Sequence, residues 1–284
     1  MRALGIDVGV GKGLDLVLID EQRDVLRVGP RMDLAQLSGS IREMRPDVIA
    51  IDSPPSWARE GRSRLAERVL GGCNIRTFAT PTRMRGKGNP FYDWMEVGFR
   101  VFRAVARAGF PRYAAGDPRG TAMEVFPHAS ATVLRGFLRP KGIGKKTWRE
   151  GILVAQGVRT DTLTSADLID AGLCALTGLL ALQGKRFAPG DPREGVIVLP
   201  VVTLPARPFV PFRQDTSTSR APDASPLFRY CACGEPGCGE LTRGEFAPGH
   251  DAKRKSMLWR LAGEGRDATD ELRRRGWELP PEIR

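Results

Sequence analysis

Five acids stand where a carboxylate is costly. Asp7 interrupts the apolar run "ALGIDVG", and Asp52 ends "PDVIAID" just before Pro54 and Pro55. Glu124 lies within "GTAMEVFPH", and Asp167 and Asp170 sit three apart in "SADLIDAGLCALTGLLALQG". A buried charge needs a partner to offset lost hydration, and carboxylates that converge repel one another. A divalent cation removes that penalty. Mg²⁺ or Mn²⁺ takes oxygen ligands and keeps several waters, and a pair of such ions can hold a phosphodiester and activate a water for in-line attack. In this scheme Asp7, Asp52 and Asp170 are the core metal ligands, and Glu124 and Asp167 are second-tier ligands or water positioners of the same catalytic set. Each acid taken singly has another reading. Asp7 and Asp52 can be turn residues, Glu124 can pair with an arginine, and Asp167 can favour a helix's first turn through the dipole.

The elements that must position these acids follow from hydrophobic period. "ALGIDVG" and "LDLVLID" read as two strands of a hairpin joined by "VGKG", and "DVLRVGPRM" as a third strand. "DLAQLSGSIREM" has helical spacing behind Asp33 as a possible cap. "PDVIAID" is a buried strand that ends in Asp52. If that fourth strand lies parallel beside the first, Asp7 and Asp52 meet. "REGRSRLAERVLGG" and "MEVGFRVFRAVARAG" read as helices, with a loop-rich stretch between them. "GTAMEVFPH" is a fifth strand, "KKTWREGILVAQG" and "SADLIDAGLCALTGLLALQG" are helices with Ser165 capping the latter, and "EGVIVLPVVTLP" is a last extended piece. A late helix across the end of the sheet would add Asp170 and Asp167 to the group.

Charge points to a polyanionic partner. The 284 residues carry 44 Lys and Arg against 33 Asp and Glu. Between Arg59 and Arg112 there are twelve basic and four acidic residues, so most of the surplus sits in one segment. Concentrated positive charge suits the phosphates of DNA or RNA, and Arg62, Arg64, Arg68, Arg83, Arg85, Lys87 and Lys145 are the candidate contacts. A solvated basic surface is the alternative. No apolar run approaches membrane-spanning length and "MRALGIDVG" lacks the phases of a signal peptide, so a cytoplasmic protein without membrane contact is expected.

Other chemistries are thinly supplied. The chain holds two histidines, His128 and His250. Ser53 and Cys73 have no base nearby in sequence, and no nucleophile elbow is present. "GVGKG" is not a phosphate-binding P-loop, because Gly follows the Gly-Lys and a strand follows the turn. Lys12 could still touch a phosphate, and the hairpin is similar to the glycine hairpin with which actin-like proteins hold phosphate, so a nucleotide-phosphate (ATP) enzyme of that kind is a third reading. A catalytically inactive module that binds nucleic acid or protein is the second.

The chain's end carries Cys231, Cys233, Cys238 and His250 in the pattern C-x-C-x4-C-x11-H. Three thiolates and an imidazole make a closed tetrahedral Zn²⁺ set, and a metal would supply folding energy to so short a segment. Reduced cysteines without metal are the alternative. This segment resembles small cysteine-rich "GHDAK" modules at the ends of other bacterial and phage proteins.

"GIDVG", "VIAIDSPPSW", "RLAERVLGGCNIRTFATPT", "MEVFPHAS" and "DLIDAGLCAL", in that order, resemble the family of uncharacterised proteins called domain of unknown function 429. The resemblance runs to "EGVIVLP" and implies an RNase H-like α/β fold, a mixed sheet with flanking helices, and nuclease activity. It places the family's presumed acids on Asp7, Asp52, Glu124 and Asp170, with Asp167 adjacent. The arrangement is also similar to that of Holliday-junction resolvases of the same fold, with two departures. Those resolvases often have Glu where Asp52 stands, and they lack an acid like Glu124. The expected organisation is an RNase H-like domain over 1–204, a Pro/Ser-rich linker over 205–227, and a zinc-binding module over 228–284.

Overall fold

A computed structural model of the chain describes residues 1–211, 229–230, 241–242, 250–263, 268–275 and 277–278. The chain divides into two units, Met1–Pro222 and Asp223–Arg284.

In the first unit β1 (Arg2–Gly9) and β2 (Gly13–Asp20) pair antiparallel about Gly11. Gly11 and Gly13 hold φ of 68° and 86°, conformations in which a side chain is strained. β3 (Val25–Met32) adds antiparallel to β2, α1 (Leu37–Met44) follows, and β4 (Val48–Asp52) returns parallel to β1. Then come α2 (Leu65–Gly72), α3 (Arg83–Gly86) and α4 (Asp93–Arg107), before β5 (Ala122–Val125) joins parallel to β4. α5 (Pro127–Arg135), α6 (Lys145–Ala155) and α7 (Ala166–Leu182) precede β6 (Gly190–Asp191) and β7 (Gly195–Val198). The sheet runs β3-β2-β1-β4-β5-β7-β6. Its first five strands, with β2 antiparallel to both neighbours and β4 and β5 parallel to β1, have the RNase H-like order.

Strand alternation sorts the core into two layers. Ala3, Val17, Ile19, Val48 and Ala50 face α7, while Leu4, Ile6, Leu16, Ile49 and Ile51 pack with α1 and α4. The contact between α7 and β1 runs through small residues for a reason. A Cβ at Gly5 would lie 1.9 Å from the Ala171 carbonyl oxygen and 2.5 Å from the Ala175 nitrogen. The backbone of α7 therefore rests directly on β1. Gly178, further along the helix, sits close over Val48, Ala50 and Ala3.

Two stretches differ from the sequence reading. "REGRSRLAERVLGG" is helical only from Leu65, because Gly61 holds φ of 74° and Arg64 leaves the surface for the interior. "PHASATVLR" forms α5, with Pro127 in its first turn and Gly136 at φ 80° ending it. Ser165 caps α7 as expected, its hydroxyl accepting from the Leu168 N–H at 3.0 Å. Among the described residues no helix is long and apolar enough to cross a membrane.

In the second unit β8 (Arg229–Tyr230) pairs antiparallel with β9 (Leu241–Thr242), followed by α8 (His250–Gly263) and α9 (Thr269–Arg274). Leu258, Ala268 and Leu272 are buried together, and Glu271 pairs with Arg254 at 2.6 Å and with Arg275 at 3.0 Å. Cys231, Cys233 and Cys238 lie outside the described residues, as does the His250 side chain.

The contact at Gly5 has no slack, so Gly5→Ala should destabilise the fold by at least the roughly 1–3 kcal/mol typical of overpacking. Urea unfolding of the variant beside the wild type measures it, and an unchanged midpoint would show that the sheet and α7 can separate freely.

Candidate metal centre

Register brings the acids together. Asp7 lies opposite Asp52 in the parallel β1–β4 pair and opposite Asp15 in the antiparallel β1–β2 pair. Laterally paired residues point to one face, so Asp15, Asp7 and Asp52 form a row across three strands on the side of α7. The first turns of α7 lie over the row's end, and Asp167 and Asp170, three apart, share the helix face turned to it. Asp7, Asp52 and Asp170 offer carboxylate oxygens that all lie within 4.8 Å of one another. Asp7, Asp15 and Asp167 do the same.

The grouping has the expected electrostatic cost. Burial, and then Asp170, Asp167 and Asp15, push the Asp7 carboxyl up to about 7. Burial with Asp7 and Asp170 holds the Asp52 carboxyl well above the usual range, and burial with Asp167 raises that of Asp15. Cations offset part of this. Arg149 donates to Asp170, and the Lys145 Nζ lies 3.1 Å from the same carboxylate. Lys12 is 3.9 Å from Asp167. Arg149 is buried, and its Nε has no hydrogen-bond partner among the described residues. An all-carboxylate set of this kind fits a hard, oxygen-seeking divalent cation.

Glu124 stands apart from the group. Its register partner on β4 is Ile51, not Asp52, so it points to the opposite face. There Arg64 forks onto it with two bonds of 2.6 Å. Arg64 also donates from Nε to Glu67 at 2.9 Å. Glu67 in turn accepts from the Thr80 N–H at 2.9 Å and from the Thr80 hydroxyl. Arg64 is 1% exposed, so it is not a surface contact for phosphates. Arg62, Arg68, Arg83, Arg85, Lys87 and Lys145 are exposed.

His128 opens α5 with its ring beside Phe126 and Trp148, each at 5.9 Å. Burial and then the charges of Arg149, Arg139 and Lys145 hold its imidazole down at about 4, so it is neutral at pH 7. A cavity of about 330 Å³ opens beside Asp52, at the carboxyl ends of β1, β4, β5 and β7, and reaches down to Arg64 and Glu124.

Asp15 was not among the acids singled out from the sequence. The signal was there, since a hairpin centred on Gly11 places residue 15 across from residue 7.

Comparison with known proteins gives two results. The model of the family described as "Protein of unknown function (DUF429)" matches residues 5–194. Among solved structures the chain is similar to RuvC from Thermus thermophilus, at 17% identity and a TM-score of 0.35 over 65% of this chain and 97% of that one. It is also similar to T. thermophilus RuvC in complex with a Holliday junction substrate, at 18% identity and a TM-score of 0.35 over 65% and 96%. The strand order, not this likeness, carries the fold. No curated protein matches the chain.

Two outcomes check the centre. Glu124→Gln should cost about 3–5 kcal/mol in urea unfolding, because it breaks a buried ion pair and leaves Glu67 as the one carboxylate bonded to the Arg64 guanidinium among the described residues. A neutral result would free Glu124 for another role. Asp7 binds its proton more tightly folded than unfolded, so its contribution is complete below about pH 3.8 and is lost as pH rises through about 7. Without divalent metal, stability should fall between pH 5 and pH 8 by on the order of 2 kcal/mol. Asp7→Asn should flatten that slope, and Mn²⁺ should restore wild-type stability at pH 8 by mass action. Thermal unfolding across pH reads both.

Proposed function

The chain belongs to the DUF429 family, and we propose that it is a divalent-metal-dependent nuclease that hydrolyses phosphodiester bonds in DNA or RNA. One observation carries the reading. Asp7, Asp52 and Asp170, written 163 residues apart from first to last, bring oxygens within 4.8 Å of one another on one end of the sheet. The repulsion among them makes the site one that a cation relieves.

Asp7, Asp52 and Asp170 would hold Mg²⁺ or Mn²⁺, and Asp15 and Asp167 would support a second position that shares Asp7. Bound there, the metal would polarise a phosphoryl oxygen and supply a water with a lowered pKa. The chain's own residues do the remainder. Lys145, with its ammonium at the edge of the group, is placed to draw in a phosphate. The exposed arginines and lysines of residues 62–87 attract the strand on either side. Arg149 keeps Asp170 oriented. Glu124, paired with Arg64, belongs to the scaffold of the site and not to its ligands. A zinc ion held by Cys231, Cys233, Cys238 and His250 in the C-terminal unit, with a docking role for that unit, is part of the same proposal and rests on spacing alone.

One observation favours the inactive binding module instead. Asp170 already has Arg149 and Lys145 beside it, so the group is partly neutralised without metal. A screen of branched DNA, single strands and RNA with Mg²⁺ and Mn²⁺ separates the readings. Asp7→Asn should remove Mn²⁺-dependent cleavage by more than the roughly 100-fold typical of groups one step outside a metal's ligands, with circular dichroism unchanged. Undiminished cleavage by that variant would sink the proposal. Metal-independent binding without cleavage of any substrate would support the module.

A further inference from the structure

We propose that the cavity beside the acid group receives an unpaired base, so that the preferred substrate is nucleic acid with a nucleotide outside the duplex stack at the scissile position. This rests on the nuclease reading and narrows its substrate.

The cavity and the acid group share Asp52. A phosphate held at the acids therefore has its own nucleotide at the cavity's mouth. At about 330 Å³ the space lies at the small end of the range of roughly 300–1,000 Å³ for small-ligand sites. That is room for a base. A base paired in a helix cannot enter without leaving its neighbours, and the cost of doing so is smallest when it is already unpaired.

The walls suit a flat aromatic guest. Val8, Pro54, Phe126 and Ile197 line the cavity with apolar surface, and Phe78 and Trp94 stand among them. Phe78 is 62% exposed, and its ring meets Trp94 at 5.8 Å and 67°. An aromatic ring left this open at the edge of a basic segment is a stacking platform of the kind that single strands use. It is also held in place. Two residues on, Thr80 is buried and fixed through both its N–H and its hydroxyl to Glu67, which Arg64 ties to Glu124. The buried network thus presents Phe78 from a fixed loop rather than a loose one. Lys145 and Arg149 complete the cavity on the side of the acids, where the phosphate would lie.

The full chain can be tested with Ca²⁺ in place of Mg²⁺ or Mn²⁺, using a duplex that carries 2-aminopurine either as a one-nucleotide bulge or fully paired. The wild type should bind the bulged duplex at least about 10-fold more tightly and quench its fluorescence. Phe78→Ala, a change at an exposed position, should narrow that gap by about 5-fold or more, the lower end of what a base–aromatic stack contributes. Trp94→Ala should do likewise. Equal affinity for bulged and paired duplex, or a gap untouched by both variants, would overturn the inference. So would a free mononucleotide that competes as well as the bulged strand, since the cavity would then serve a small molecule. Cleavage of paired duplex without preference would remove this inference and leave the nuclease reading standing. A bulge preference with no cleavage under any metal would do the reverse.

Discussion

Everything at the acid-bearing end of the first unit depends on how closely α7 lies against β1. A helix packed on a sheet through ordinary side chains would hold its own acids well away from those of the strands. Gly5 removes the intervening side chain, and Ala3, Ala50, Ala171, Ala175 and Gly178 keep the rest of the contact thin. The helix backbone then rests on the strand, and its first turns carry Asp167 and Asp170 down to the level of Asp7. The electrostatic cost of that meeting, visible in the raised Asp7 and Asp52 carboxyls, is met by the apolar burial along the remainder of α7. Small residues and charged residues in these two elements are parts of one device.

A second buried assembly works on the opposite face. Arg64 joins α2 to β5 through Glu124, and Glu67 carries the connection on to Thr80. Every oxygen of both carboxylates has a donor, which is the condition under which a buried ion pair is tolerated. Such a network contributes little net stability relative to apolar packing. Its effect is positional, fixing a loop that would otherwise have only two apolar anchors, Ile75 and Pro81, on either side of its exposed residues.

Much of this was legible in the sequence, and the gaps have physical causes. The apolar runs "ALGIDVG" and "PDVIAID" locate the strands, and a break in an otherwise apolar helix marks Asp170. The strand order then follows from the hairpin and the parallel return. Asp15 escaped because "GLDLVLID" reads equally well with its acids at a solvated edge, and only the hairpin's centre at Gly11 fixes its partner. The sequence places Glu124 in the acid group because it is an acid within a strand and falls on one of the family's presumed acids. Membership of a strand does not set parity, and pairing with Ile51 turns it to the other face. Arg64 looked like one more member of a basic run. Charge counting cannot distinguish an arginine on the surface from one drawn inward by two carboxylates far along the chain. α5 was missed because Pro127 reads as a stop at the end of a strand, although it equally starts a helix.

The row Asp15–Asp7–Asp52 and the pair on α7 come from opposite ends of a long stretch of polypeptide. During synthesis the strands that bear the row emerge early, and their carboxylates have no helix to answer them until Asp170 has cleared the ribosome. A nascent or prematurely terminated chain would carry β1–β5 with the row of acids but without the pair on α7 that completes the group.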